Sequence, residues 1–197
     1  MVCGSGSNAP HQGKPPSTVP DEERRRYAVA MPAHPPMSVS LETERLTMRP
    51  WVEPDVDDYR ALVAERGDRV PTVENIRGRI ATQLSATAQT GIALLPVRRR
   101  VEGDFIGYCG LTVGRASVEE PEIAYELFRR VHGHGYATEA ARAVLDAAVG
   151  TGRTRLWSTV RTWNVPSFRV LEKLGFQRDH VSDDDSGELV WLTLALQ

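Results

Sequence analysis

The segment from Leu127 to Ala140 constrains the fold more than any other part of the chain. It reads LFRRVHGHGYATEA: an apolar strand end, a turn with Gly133 and Gly135, and then a run of helical character. Glycines allow a left-handed backbone and the close approach of a ligand. The first amides of a helix have no partner within the helix and lie at the positive end of its dipole. The segment therefore predicts a strand, a tight turn and a helix whose N-terminus can bind a phosphate or pyrophosphate.

This turn differs in spacing from the common nucleotide-binding loops. The P-loop pattern GxxxxGK[ST] does not occur in it. Thr138 stands where the Rossmann pattern GxGxxG requires its third glycine. A structural strand-to-helix turn without a ligand remains the alternative at this point.

The first 37 residues differ in composition from the rest of the chain. They hold seven of the 13 prolines and few large apolar residues. Such a segment buries too little apolar surface to offset the entropy of ordering. We therefore expect a disordered, proline-rich tail over residues 1–37, with a short helix as an option at Asp21–Ala28, and one folded domain over residues 38–197. A partner-binding arm, or a chain start at Met31 or Met37, is the alternative.

Charge, cysteine count and hydropathy exclude several classes of protein. Lys and Arg total 24 against 26 for Asp and Glu, whereas general binders of nucleic acid or anionic membranes are usually basic. The two cysteines, Cys3 and Cys109, are too few for a disulfide framework or a Cys-type zinc site. No apolar run is long enough for a membrane span, and no secretory signal is visible. We expect a cytoplasmic protein without a bound metal and without nucleic-acid or membrane partners.

Apolar periodicity predicts seven strands and four helices in the order β-α-α-β-β-β-α-β-α-β-β. The polar run Arg99–Asp104 predicts the turn of an antiparallel hairpin. This alternation indicates a mixed α/β (α+β) domain with one central, mainly antiparallel sheet. The predicted strands are Leu41–Trp51, Ile92–Arg98, Phe105–Val113, Glu122–Phe128, Leu156–Val160, Phe176–His180 and Leu189–Leu196. The predicted helices are Asp55–Arg66, the segment between Thr72 and Gly91, a run with apolar residues from Ala137 to Ala148, and Pro166–Leu174.

A second patterned segment runs from Asn164 to Phe176. Asn164 can cap a short helix, and Pro166 is tolerated in its first turn. Gly175 suits the left-handed position that follows a helix. A capped amphipathic helix explains each of these residues, but not their occurrence together with the glycine turn.

Four segments follow one another at particular spacings: Leu41–Trp51 (LETERLTMRPW), Glu122–Leu127 (EIAYEL), Gly133–Ala140 (GHGYATEA), and Asn164 with Ser167 and Leu171–Phe176. In this combination they resemble the GNAT superfamily of acyl-CoA-dependent N-acetyltransferases, and more closely its RimJ/RimL-type branch. The match covers nearly all of residues 41–197. It implies a twisted sheet of about seven strands, flanked by about four helices, that splays into a V between its fourth and fifth strands.

The resemblance also implies acetyl-CoA as co-substrate. Its pantetheine would pair with the backbone near Glu126–Phe128, and its pyrophosphate would bind the amides of residues 133–138. The first position of the family's loop pattern, Gln or Arg, falls on His132 in the preferred register and on Arg130 in the other. The candidate cofactor-binding residues are Leu127, Phe128, Arg130, His132, Gly133, His134, Gly135, Tyr136, Ala137, Thr138 and Asn164.

The implied chemistry is direct attack of an amine on the thioester carbonyl. It requires a base for the amine, a donor for the oxyanion and a group near the leaving thiolate. Glu122 and Glu126 are the candidate bases, because residues four apart on a strand share a face. Ser167 is the candidate hydrogen-bond donor to the sulfur, since Leu171 stands where many members of the family have a tyrosine. A solvated strand glutamate and an ordinary first-turn serine are the alternatives, and the acidic run Asp183–Asp185 is a further source of carboxylates.

We therefore expect an N-acetyltransferase that moves an acetyl group from acetyl-CoA to a primary amine. The acceptor is a protein N-terminus or a small-molecule amine, and the sequence does not choose between them. We expect acetyl-CoA and this acceptor as partners, and a monomer or homodimer. A catalytically silent acyl-CoA sensor and an interaction domain with an empty turn are the competing hypotheses.

Overall fold

The structure is a computed structural model that describes residues 34–67 and 70–197, in which eight strands form one sheet ordered β1-β2-β3-β4-β5-β6-β8-β7. The strands are β1 (Leu41–Glu42), β2 (Leu46–Met48), β3 (Leu94–Arg99), β4 (Phe105–Thr112), β5 (Glu122–Leu127), β6 (Arg155–Arg161), β7 (Gln177–Asp184) and β8 (Gly187–Ala195). The helices of the described part are α1 (Asp55–Ala64), α2 (Val73–Thr90), α3 (Tyr136–Val149) and α4 (Val165–Leu174), with a 3-10 turn at Arg129–Val131.

The sheet opens between β5 and β6. Every residue of β5 pairs with the antiparallel strand β4. On its other side, β5 pairs with the parallel strand β6 only where Glu122 lies opposite Trp157. We call the Glu122 side the closed end of β5, and the segment Tyr125–Leu127 its open end. The mixed sheet and its splay are as predicted, and the fourth and fifth strands of that prediction are β5 and β6 here.

The prediction of one continuous strand over Leu41–Trp51 was wrong, because a tight turn divides it into β1 and β2. The main-chain amide of Thr43 donates to the Leu46 carbonyl at 2.9 Å. The amide of Leu46 donates to the Thr43 hydroxyl oxygen at 3.0 Å. A side chain that accepts a bond from its own turn favours a turn over continued extension. The turn places Arg45 at the edge of the sheet.

The ends of α2 and the end of α4 lie where the sequence indicates them, whereas α1 ends at Ala64, two residues before the predicted Arg66. The Thr72 hydroxyl oxygen accepts from the amide of Asn75 at 3.1 Å, which caps α2. Gly91 and Gly175 follow α2 and α4 with φ of 71° and 92°, in the left-handed region that glycine tolerates best. No helix in residues 34–67 and 70–197 is long and apolar enough to cross a bilayer.

The apolar core includes residues of the sheet and of all four helices. Cys109 lies in it, and burial raises the pKa of its thiol. Met37 is buried against it, and its amide donates to the Gly91 carbonyl at 2.8 Å. Residues 1–33, with most of the predicted tail and the run Asp21–Ala28, lie outside the described residues. The division at residue 38 therefore stays a prediction.

Candidate functional site

A cleft of about 810 Å³ lies at the open end of β5. It includes the glycine turn, the beginning of α4 and the end of α1. Ten of the predicted site residues line it: Glu126, Leu127, His132, Gly133, Gly135, Tyr136, Ala137, Thr138, Asn164 and Ser167. The structure therefore brings together residues from four separate parts of the sequence.

The glycine turn presents unpaired amides at the start of α3. Gly133 and Gly135 have φ of 80° and 81°, so both need the left-handed region that only glycine enters freely. In the described part of the chain, no main-chain amide from Gly133 to Thr138 donates to a protein acceptor. The first bond of the helix runs from the Glu139 amide to the Gly135 carbonyl at 3.0 Å. Free amides at the positive end of a helix dipole can bind an anion.

Two histidines lie in this turn, and their rings have different positions. The His132 ring nitrogen Nε2 lies 3.0 Å from the Leu127 carbonyl oxygen, which ties the turn to the end of β5. The His134 ring stacks on Tyr136 with centroids 5.9 Å apart and does not line the cleft. In residues 34–67 and 70–197, no three His, Cys, Asp or Glu side chains are grouped to hold a metal.

Two more predicted cofactor-binding residues have side chains directed elsewhere. Arg130 donates to Asp104 at 3.1 Å and to the Phe105 carbonyl at 3.0 Å. Phe128 packs edge-on against Phe105, with centroids 6.0 Å apart. Both side chains attach the 3-10 turn to the beginning of β4 and do not line the cleft.

The two predicted bases are in different surroundings. Glu126 lines the cleft and pairs with Arg66, whose Nε donates to its Oε1 at 2.9 Å. This bond raises the pKa of the Arg66 guanidinium although burial opposes it, so Arg66 stays charged. Glu122 is 6% exposed and accepts from the amide of Arg115 and from the Thr159 hydroxyl, the latter at 2.8 Å. Its carboxylate is enclosed by these groups and does not line the cleft.

The beginning of α4 forms the wall opposite β5. The Asn164 side-chain oxygen accepts from the amide of Ser167, which is the cap expected from the sequence. The Ser167 hydroxyl makes no hydrogen bond within the described residues, and the residue lines the cleft. Tyr125 bridges from β5 to α4, because its hydroxyl donates to the Ser167 carbonyl at 3.2 Å. Burial raises the pKa of Tyr125, so its hydroxyl stays protonated.

Sequence reasoning missed several residues of the cleft. Tyr125 lies inside a recognised segment, and its place beside Glu126 was an available signal. Arg66 follows α1 and carries no motif that links it to β5. Arg129, Arg169 and Lys173 also line the cleft, and none of the three forms an ion pair in the described part of the chain.

The acidic run Asp183–Asp185 lies outside the cleft, at the end of β7 and in the turn to β8. Asp184 pairs with Arg161 at 2.7 Å and with Arg115 at 3.1 Å. The hydrogen bond from Arg161 holds the pKa of Asp184 at about 2, so this carboxylate is ionised and bound to arginines.

Together these features define a mixed α/β protein with a candidate anion site at the opening of its sheet. A profile of the family described as "Acetyltransferase (GNAT) domain" matches residues 45–177. An uncharacterized N-acetyltransferase of Bacillus licheniformis, p20, is 26% identical over 163 residues, which are 74% of this chain and 86% of that protein. The chain therefore belongs to the GNAT acetyltransferase family, whose members carry out acetyl-CoA-dependent acetyl transfer.

Solved structures agree on the fold. An acetyltransferase from Agrobacterium tumefaciens is 29% identical with a TM-score of 0.68, and the match covers 79% of this chain and 93% of that one. RimJ of Mycobacterium smegmatis, solved in complex with CoA-disulfide, is 19% identical with a TM-score of 0.65, and the match covers 76% and 81%. Likeness extends to RimJ and to an acetyltransferase that is not described as RimJ or RimL, so it does not assign this chain to one branch.

Proposed function

We propose that this protein is an N-acetyltransferase that transfers the acetyl group of acetyl-CoA to a primary amine. The observation that carries the proposal is the row of free amides from Gly133 to Thr138 beside the open end of β5. A CoA thioester combines a pyrophosphate with an extended amide chain. Free amides at a helix N-terminus can bind the pyrophosphate, and a strand edge without a partner can pair with the extended amide chain.

The charge of the cleft supports a polyanionic ligand. Arg129, Arg169 and Lys173 line it, and within residues 34–67 and 70–197 each lacks a carboxylate partner. Arg169 and Lys173 are four residues apart on α4 and so lie on one side of the helix. These three cationic side chains outnumber the carboxylate of Glu65, which also lines the cleft, and so favour a ligand with several phosphate charges.

In the proposed reaction, the amine nitrogen attacks the thioester carbonyl, the carbon–sulfur bond breaks, and CoA leaves as a thiolate that takes up a proton from water. Glu126 takes up the proton of the amine, directly or through water, because it is the predicted base that lines the cleft. A main-chain amide of β5 donates to the oxyanion. Ser167 donates a hydrogen bond to the leaving sulfur, since its hydroxyl makes no hydrogen bond within the described residues and the residue lines the cleft.

The acceptor belongs to the same proposal. The acceptor is either a protein N-terminus, as the RimJ/RimL-type resemblance suggests, or a small-molecule amine. The cytoplasmic location, the absence of a metal and the choice between monomer and homodimer stay predictions.

The test combines binding and turnover. Calorimetry with acetyl-CoA and with CoA should show one site per chain, and thiol release should rise with at least one amine in a panel of N-terminal peptides and small amines. Binding without turnover on any amine would favour the silent sensor. Absence of binding to either thioester or thiol would contradict the proposal and favour the interaction domain.

A further inference from the structure

A single arginine from the β1–β2 turn contacts the glycine turn and the first turn of α3 together. Arg45 Nη1 donates to the His134 carbonyl at 3.1 Å. Its Nε donates to Glu139 at 2.7 Å, and its guanidinium lies over the Tyr136 ring, 4.5 Å from the centroid. The sequence separates these partners by about 90 residues, so only the tertiary fold joins them.

The β1–β2 turn also supplies the other hydrogen-bond donors to the Glu139 carboxylate. The Thr43 hydroxyl donates to its carboxylate at 2.5 Å, and the main-chain amide of Arg45 donates at 3.0 Å. Burial raises the pKa of Glu139, but these bonds and those of the Arg45 guanidinium outweigh it and leave the pKa below its ordinary value. Glu139 is therefore an anchor that stays ionised and fixes the position of Arg45.

Apart from the His132 ring on the Leu127 carbonyl, few contacts hold the main chain of the glycine turn. A Cβ atom at Gly133 would meet no atom within 4 Å, so the main chain is not packed there. The Arg45 side chain hydrogen-bonds to the main chain of Gly133–Gly135. Among the described residues outside Leu127–Glu139, no other side chain does so. Glycine also has more backbone freedom to lose than any other residue. An unbraced turn would sample conformations in which its amides do not converge on one anion.

We propose that Arg45 is a positioning residue, which holds the His134 carbonyl and Tyr136 so that the amides of Gly133–Thr138 converge on the diphosphate of CoA. This inference rests on the proposed function. Arg45 acts through the turn, and its benefit is confined to ligands that contain the diphosphate. Preorganisation of this kind raises affinity because the cost of ordering is met before binding.

The first experiment compares Arg45→Ala with wild type on two ligands, CoA and acetyl-pantetheine. The dissociation constant of CoA should rise about tenfold, which corresponds to about 1.4 kcal/mol. The kcat/KM for acetyl-pantetheine, which lacks the diphosphate, should stay within twofold. Arg77→Ala is the matched control, because it removes an arginine from a surface ion pair with Glu53 and should leave both values unchanged. An unchanged CoA affinity, or an equal loss for both ligands, would overturn the inference.

The second experiment separates position from charge. Arg45 also neutralises Glu139, a carboxylate that would repel a nearby phosphate. The double variant Arg45→Ala/Glu139→Gln lacks both charges. A positioning role predicts that its CoA affinity stays at least fivefold below wild type, whereas full recovery would overturn positioning in favour of charge.

The third readout needs no ligand, so it survives a failure of the proposed function. Backbone ¹⁵N order parameters of Gly133 and Gly135 should fall from about 0.85 to below about 0.6 when Arg45 is replaced. If Arg45→Ala does not fold, Arg45→Lys keeps the charge but not the fork that reaches Glu139 and His134 together, and it should show a smaller change in the same direction. Unchanged order parameters in a folded variant would contradict the inference whatever the protein binds.

Discussion

β5 carries a glutamate at its closed end and another at its open end, and the two lie in different surroundings. Glu122 is 6% exposed and accepts from the Arg115 amide and the Thr159 hydroxyl. Glu126 is four residues further along the same face, lines the cleft and pairs with Arg66, which also lines it. Both residues are glutamates of β5. Their hydrogen-bond partners differ because β6 pairs with β5 at the closed end and separates from it at the open end.

This difference indicates which glutamate is available for chemistry. A general base must reach the proton of its substrate, either directly or through one water. The closed end supplies two fixed donors that occupy Glu122, whereas the open end leaves Glu126 at a cavity. We therefore assign a structural role to Glu122 and the proposed catalytic role to Glu126, and the following variants test the two ends against each other.

The largest effect is expected at the open end. Glu126→Gln should lower kcat about 100-fold, the lower range for loss of a general base, while the dissociation constant of acetyl-CoA stays within twofold. Steady-state thiol release and calorimetry measure the two quantities. Arg66→Gln is the matched variant, since it removes the same ion pair but keeps the carboxylate, and its loss in kcat should be far smaller. Equal losses in the two variants would mean that the ion pair, not the base, is what matters.

At the closed end, the expected effect is on stability. Glu122→Ala leaves the Arg115 amide and the Thr159 hydroxyl without their acceptor, which should reduce the free energy of unfolding by about 1–3 kcal/mol. Urea denaturation measures this change. The folded variant should keep kcat within about threefold of wild type. A 100-fold loss of kcat at unchanged stability would reverse the assignment of the two glutamates.

Variants of Ser167 test the beginning of α4, which faces the open end of β5. Ser167→Ala should lower kcat about tenfold, or about 1.4 kcal/mol, through loss of a hydrogen bond to the leaving sulfur. Acetyl-CoA affinity should change less, because the main-chain amide that Asn164 caps is retained. Ser167→Thr keeps a hydroxyl and serves as the partial rescue. An unchanged kcat in Ser167→Ala would remove the residue from the mechanism.

The smallest effect is expected from Tyr125, which spans the opening. Tyr125→Phe removes one hydrogen bond to the Ser167 carbonyl and should lower kcat by about threefold or less, within the range of one neutral hydrogen bond. Because burial raises the pKa of this phenol, its protonated form persists as the pH rises through 10, the ordinary value. The wild-type pH profile of kcat should therefore show no alkaline loss from tyrosine below pH 10. A large loss in Tyr125→Phe would give this hydroxyl a direct part in the reaction.

Much of the fold was predictable, because local signals and tertiary contacts agree. Thr72, Gly91 and Gly175 begin or end helices at the expected positions, and the turn Arg99–Asp104 joins β3 and β4. The strand over Leu41–Trp51 failed because Leu46 and Met48 alternate as in a strand, while just before them the Thr43 hydroxyl oxygen accepts from the Leu46 amide and turns the chain.

The site was predictable only in part. The glycine turn and Asn164 are short-range motifs, so the sequence indicated their chemistry. Glu122 and Glu126 looked equivalent because strand spacing reports the face of a side chain and not the neighbour of the strand. Arg66 and Arg45 were not recognised, because an ion pair between residues 60 or 94 positions apart leaves no local pattern.

The sequence by itself determined most of the elements, the left-handed glycines and the helix end with free amides, since each depends on the backbone preferences of a few neighbouring residues. Only the tertiary structure decided that β5 and β6 separate, which glutamate opens into the cleft and which arginine braces the turn. Those features depend on contacts between distant segments, where packing and charge act across space and not along the chain.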